Sequence, residues 1–373
     1  MIKNKIPQDK RLLLLDSLRG IAAIIVLYHH FFKINNIFFK AKCSSTIYSF
    51  LNFISGLNQE AVIFFFVLSG FCIGLSLKNK NLNDSEIINE YAYRRLKRLL
   101  PIYMMALVLT LFCGILMNNY YLEEYSLKNI AGNLMFLQTS DSIKSSWFTP
   151  YGFNGPLWSL AFEFFFYWFF LITFFLNSQY VFKLNMSVKI LILLLLTILG
   201  VVVNSKFFFP HLLFFNSFII WLLGYINSQY YLYNKKYNFI FLFILFFSSF
   251  YLLLGYRYVN SNTLIVVCKG LMMNSIFYYT LLYRRFLSRS FIIDSLNFLF
   301  YKIGKGSYAI YSLHYPLLLV LSYYDLNLYF QLFIIIIFTV LVIRLEELSL
   351  KWNFKFLRIN YFHLVNFKKN YSE

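Results

Sequence analysis

LDSLRGIAAIIVLYHH, Leu15–His30, decides the fold. It is an apolar run long enough for most of a membrane crossing, with Asp16 and Arg19 at one end and His29 and His30 at the other. Ionisable side chains are costly in lipid and mark functional candidates where they occur. On an α-helix the 11 steps from Arg19 to His30 cover about three turns, roughly 16 Å, and return to nearly the same face. Asp16, three residues before Arg19, is placed to pair with it. Arg19 then sits at the inner headgroup level, and His30 sits deep or toward the outer side. A plainer reading also fits: Arg19 snorkels and His30 ends the helix.

The rest of the chain repeats the apolar theme. Of 373 residues, 60% are hydrophobic and 13% charged, with a mean hydropathy of +0.63. A soluble domain carries about a quarter charged residues. The shortfall, with repeated apolar runs near 20 residues, implies an all-α polytopic membrane helix bundle. About ten spans are expected, near 12–32, 59–77, 99–118, 156–176, 187–204, 208–226, 238–256, 263–282, 306–322 and 328–345. A short interfacial or re-entrant helix is expected within 125–140.

The net charge of +19 does not point to nucleic acid, because the basic residues sit between apolar runs. With the N-terminus inside, 25 of the 34 Lys and Arg residues fall in inner segments and seven in outer loops, leaving Arg19 and Lys269 within spans. That asymmetry predicts an even number of spans with both termini cytoplasmic. The expected membrane domain is single, with a core of about 12–345. The basic, aromatic stretch 346–373 is expected as a cytoplasmic tail along the inner lipid face. Cys43, Cys72, Cys113 and Cys268 have no metal-ligand spacing, so no metal and no disulfide framework are expected.

Three further blocks combine polar groups with apolar runs. FFFVLSGF (Phe64–Phe71), holding Ser69, precedes a basic loop, YRRLKRLLP (Tyr93–Pro101). Arg94, Arg95 and Arg98 suit a phosphate-bearing cytoplasmic ligand, though such clusters also serve as topogenic anchors. Ser69-Gly70 reads as a close-packing site. In NGPLWSLAFEFFFYW (Asn154–Trp168), Glu163 lies among aromatics with Tyr167 one turn on, and Pro156 and Trp158 suit an outer helix start. A carboxylate there is paired, protonated or facing a polar cavity. Bonding between helices is the structural alternative. In GKGSYAIYSLHYPLL (Gly304–Leu318), Tyr308, Tyr311 and His314 form one helical stripe after Ser307. Tyrosines at that spacing also serve as packing.

In this order, the four blocks resemble the acyltransferase 3 family of integral-membrane O-acyltransferases, over about residues 12–345. The Arg-ten residues-His spacing selects Arg19 and His30 over His29. The resemblance implies ten helices, a cytoplasmic acyl-CoA donor such as acetyl-CoA, and O-acylation of a carbohydrate or lipid-linked glycan, commonly in surface polysaccharides of bacteria. It implies a multi-pass protein of the inner membrane, with membrane lipids and the two substrates as partners and no nucleic acid. The extracytoplasmic hydrolase-like domain of some members is not expected here.

Chemistry fits the resemblance. A sugar hydroxyl is a weak nucleophile, and a positioned imidazole can take its proton. His30 is the candidate base, and Glu163 the candidate to orient it. Arg19, Arg94, Arg95 and Arg98 are candidates for coenzyme A phosphates. Asp16, Ser69, Trp158, Ser159, Tyr167, Ser307, Tyr308, Tyr311 and His314 are candidates for the pocket. Ser69 and Ser159 lack the Gly-x-Ser-x-Gly context of a serine nucleophile. The competing class is a transporter or flippase for a glycan precursor or small anion, but no convincing internal repeat supports it.

Overall fold

The structure is a computed structural model that describes residues 8–78, 80, 85–140, 146–179, 195–196, 199–200, 202–204, 207, 213–232, 262–287 and 291–352. Among these it is all helical, with twelve α-helices and two 3-10 turns. The helices are α1 (Gln8–Ile34), α2 (Asn36–Lys42), α3 (Ser45–Gly56), α4 (Asn58–Ser76), α5 (Ser85–Leu116) and α6 (Leu127–Leu134), then α7 (Leu157–Gln179), α8 (Leu213–Leu232), α9 (Asn262–Leu287), α10 (Phe291–Lys305), α11 (Ser307–Tyr323) and α12 (Leu328–Ser349).

Among the described residues, four helical runs are long and apolar enough to cross a membrane: Leu13–Ile34, Ser45–Ser76, Glu86–Leu116 and Leu328–Ser349. Two shorter apolar helices cover Leu157–Leu171 and Ile265–Leu281. The chain is therefore a multi-pass membrane protein. Ten crossings are not established: the expected span 238–256 lies outside the described residues, as does most of 187–204.

Three sequence expectations need correction. YRRLKRLLP is not a loop but the third to fifth turns of α5, which runs unbroken through Pro101. An Arg- and Lys-rich segment of good helix formers extends the helix beyond its apolar stretch rather than ending it. The tail does not begin at 346: α12 continues to Ser349 and buries Glu346. Helices α2, α3 and α10 were not expected, being short or too polar to register as spans.

Close helix contacts set the frame. Gly70 of α4 lies against the Trp221 carbonyl of α8, and Gly224 of α8 against the Val67 carbonyl. A Cβ at either position collides with backbone, which cannot yield as a side-chain tip can. Gly20 and Gly304 do the same for α1 and α10. The α4 pairings with α8 and α9 advance in the same direction along each chain, from Glu60–Lys269 to Phe71–Phe277 and from Val67–Gly224 to Gly74–Ser228. These three helices are parallel neighbours. The Lys269–Glu60 ion pair, 2.7 Å long, accounts for the lysine inside α9.

Aromatic side chains fill the core. Phe162, Phe166, Phe170, Phe218 and Trp221 are fully buried between α7 and α8. On the far side, the segment before α7 is tied down by amides. Asn133 donates to the Asn129 and Thr149 carbonyls (2.9 Å each) and accepts from the Tyr151 amide (3.0 Å). Gln138 donates to Tyr103 Oη and to the Leu157 carbonyl, both at 3.0 Å. This network fixes where α7 begins.

Candidate active site

Polar groups form a column through the aromatic bundle, built from α1, α4, α5, α7, α8 and α11. Its lower end is the ion pair Asp16–Arg19, 3.0 Å apart on α1. Arg19 also donates from Nη2 to Cys72 Sγ of α4 at 3.1 Å. The expected pairing is present, and a cysteine the sequence gave no reason to single out completes it.

Glu163 forms the next level. Its Oε1 accepts from Ser69 Oγ at 3.0 Å and from the Tyr167 hydroxyl. Trp221 donates from Nε1 to Ser69 Oγ at 3.2 Å. Every member of this knot is hydrogen-bonded, so the carboxylate is held between α4, α7 and α8. The Arg95 guanidinium lies over the rings of Tyr91 and Tyr167, 5.7 and 5.6 Å from their centroids, where a cation meets the negative ring face. Its Nε is buried without a hydrogen-bond partner among the described residues. Arg98 lies within electrostatic reach of Tyr167 and Glu346. Arg94 points away and pairs with Glu90 on the exposed side of α5.

The stripe Tyr308, Tyr311, His314 fans over three helices. Tyr308 donates to the Leu99 carbonyl of α5 at 3.0 Å. Tyr311 meets Ser159 Oγ of α7 at 2.7 Å. The His314 ring packs 5.2 Å from His30 of α1. Ser307 is buried at the start of α11, while Trp158 packs edge-on against Phe162 at 5.1 Å, as part of the aromatic core.

The upper end is a histidine cluster. His30 contacts His29, His314 and Tyr315, with ring centroids at 5.0, 5.2 and 4.7 Å. His29 turns to α3, its Nδ1 2.7 Å from the Ser55 carbonyl. His29 and His30 thus face different helices, His29 toward α3 and His30 toward α11. His314 is 1% exposed. Its Nδ1 lies 2.9 and 3.0 Å from the carbonyls of Ile310 and Tyr311, so that nitrogen must be the donor. The lone pair therefore resides on Nε2, which is buried without a partner among the described residues.

His30 and Glu163 are not hydrogen-bonded to each other. Glu163 belongs to the Ser69–Tyr167 knot, and the His30 ring neighbours are aromatic or imidazole. Sequence separation along one helix fixes heights well. It does not reveal which neighbouring helix stands opposite.

Two residues of the site escaped sequence reading. Glu346 of α12, 2% exposed, accepts from the Ala309 amide at 2.8 Å and so satisfies an N-terminal donor of α11. Asn154 donates at 3.1 Å to the Ser312 carbonyl. In a regular helix that carbonyl bonds the amide four residues on, but residue 316 is proline, with no N–H. Asn154 fills the gap and lets α11 pass Pro316 unbroken. A proline inside the expected span 306–322 was the available signal.

The fold and column define a membrane-embedded helical bundle with arginines at one end of a polar path and imidazoles at the other. A family model described as an acyltransferase domain matches residues 13–344. The chain belongs to this family, the acyltransferase 3 family, and is a membrane acyltransferase by that membership. No curated protein and no solved structure matches.

Proposed function

We propose that the protein moves an acyl group, acetyl in the simplest case, from cytoplasmic acyl-CoA to a hydroxyl of a cell-surface carbohydrate such as O-antigen, capsule or exopolysaccharide. The observation that carries this reading is the polar column itself: Arg95, Arg98 and Arg19 lie toward one end of the bundle and His30 with His314 toward the other. Arg95, with an unpartnered Nε, and Arg98 suit the coenzyme phosphates, for which a guanidinium fork is well matched. Arg19 extends the positive charge inward.

The acceptor hydroxyl is activated at the imidazole end, with His30 as the general base. Its proton leaves as the oxygen attacks the thioester carbonyl, and the coenzyme departs as thiolate. Glu163 fixes a negative charge between the two ends, close to Tyr167 and the arginines. In this reading the protein resides in the bacterial inner membrane with both termini cytoplasmic, so donor and acceptor meet from opposite sides.

The test compares surface glycans of a deletion strain and its complemented counterpart by mass spectrometry. The expected result is a mass increment of one acyl group per modified unit, absent on deletion. Identical glycans, together with no turnover of acetyl-CoA by purified protein in lipid nanodiscs, reject the reading.

A further inference from the structure

We infer that His314 is the proton-accepting partner of His30, so that the base of the reaction is a two-imidazole unit rather than His30 alone. The inference rests on the transfer reaction proposed above and assigns the path of its proton.

A buried polar nitrogen with no hydrogen bond is costly and uncommon in a folded protein. His314 Nε2 is such an atom, on a ring that is 1% exposed. The ring is not merely packed there. Two carbonyls, Ile310 and Tyr311, hold the Nδ1 proton and fix the tautomer, leaving the Nε2 lone pair as the ring's basic site. The same carbonyls stabilise the ring after it gains a second proton, because both accept from the nitrogen that shares the new charge.

What faces the ring is also specific. Tyr311 and Tyr315 flank it on its own helix, and across on α1 stand His30 and, at longer range, His29. Among the described residues no carboxylate is hydrogen-bonded to His30 or His314. The carboxylate that orients the imidazole in a serine-protease triad has no counterpart here. The second imidazole stands beside His30 instead, its ring centroid 5.2 Å away with no hydrogen bond between the two rings.

The step balances as follows. The acceptor O–H bond breaks, and its oxygen bonds to the thioester carbonyl carbon. The proton passes to one nitrogen of His30; a turn of the His30 ring then brings its other nitrogen within hydrogen-bond distance of His314 Nε2, and the proton on that nitrogen passes across. The carbonyl–sulfur bond breaks, and the coenzyme thiolate recovers a proton as the imidazole pair returns to neutrality through water. His314 thus acts through His30, without itself touching either substrate.

The test uses full-length protein in lipid nanodiscs, radiolabelled acetyl-CoA, and the glycan fraction from a strain lacking the protein. His314→Gln keeps a polar side chain of similar reach but has no basic nitrogen. Transfer is expected to fall by ~10²–10⁴, the range for loss of a proton-transfer group, with unchanged monodispersity. The acidic limb of the pH–rate profile is expected to flatten, which a packing defect does not produce. In His314→Ala, added imidazole is expected to restore part of the rate by entering the vacated space. Nitrogen-15 spectra of labelled histidine report the resting tautomer independently of activity, with His314 expected as Nδ1–H. Wild-type turnover with His314→Gln within about threefold of it, and the same acidic limb, overturns this inference alone. So does an Nε2–H tautomer at His314. A wild-type protein with no turnover removes the acyl-transfer reading and this inference with it.

Discussion

Two levels of the polar column are built on opposite principles. At the Glu163 knot, Ser69 and Tyr167 donate to one carboxylate, and Trp221 donates in turn to Ser69. At the histidine cluster, the Nε2 of a wholly buried ring has no partner, and the His30 ring makes aromatic contacts with no hydrogen bond among the described residues. A saturated polar group is content in a low-dielectric interior and resists change. An unsaturated one carries a standing free-energy cost that a substrate can relieve. Both centres involve helices of the same bundle, so the difference is local chemistry rather than scaffold. At the knot the carboxylate is held by its hydrogen bonds, and at the histidine cluster a buried basic nitrogen is left without one among the described residues.

The largest effect that can break this comparison is at His30. His30→Ala is expected to lower acyl transfer by ~10²–10⁴ without loss of expression or monodispersity. His29→Ala is expected to retain most activity, because its ring turns to Ser55 of α3. A dead His29 variant beside an active His30 variant reverses the assignment of the two rings.

Next in size is the arginine end. Arg95→Gln combined with Arg98→Gln is expected to raise the KM for acyl-CoA by about ten- to a hundredfold, the equivalent of about one charge-assisted contact at about 1.5–3 kcal/mol. Arg94→Gln is expected to change it little, since Arg94 pairs with Glu90 on the exposed side of α5. Equal effects from all three positions reduce the cluster to a topogenic anchor. The measurement is initial rate against donor concentration in nanodiscs.

A smaller effect, on stability, is expected at the knot. Glu163→Ala strips the acceptor from Ser69 and Tyr167 and is expected to cost about 1–3 kcal/mol. Glu163→Gln keeps an acceptor and is expected to cost less. Thermal unfolding followed by detergent-compatible fluorescence separates them. If the Gln variant is as unstable as the Ala variant, the carboxylate charge rather than its hydrogen bonds holds the knot.

The smallest expected effect is a coupling. Asn154→Leu is expected to destabilise by about 1 kcal/mol, and by less when Pro316→Ala has restored the helical amide. Additive effects in that double-mutant cycle separate Asn154 from the proline.

Much of this was legible in the sequence because heights along a helix follow from counting. Asp16–Arg19, Glu163 beside Tyr167, and the stripe Tyr308–Tyr311–His314 come from periodicity alone, whereas the preference for His30 over His29 rests on the family resemblance. Partners across helices did not, since nothing in local spacing brings Cys72 to Arg19, Ser159 to Tyr311 or Glu346 to Ala309. The Tyr93–Pro101 segment was misjudged as a loop because charge and proline outweighed helix propensity in the reading. In the fold, the flanking turns carry the helix through. Glu346 was missed because the apolar run ends just before it, although burial does not.

The bond from Asn154 to the Ser312 carbonyl bears on how the protein is made. A nascent helix released into lipid must satisfy its own backbone, and α11 alone does not, because Pro316 leaves one carbonyl bare. The side chain that covers it was synthesised far earlier, in the segment that leads into α7. Membrane assembly of α11 therefore depends on a receptacle supplied by an earlier part of the chain. Until α11 docks there it is a helix with one unsatisfied carbonyl. Order of synthesis and order of folding are thereby linked through a single amide.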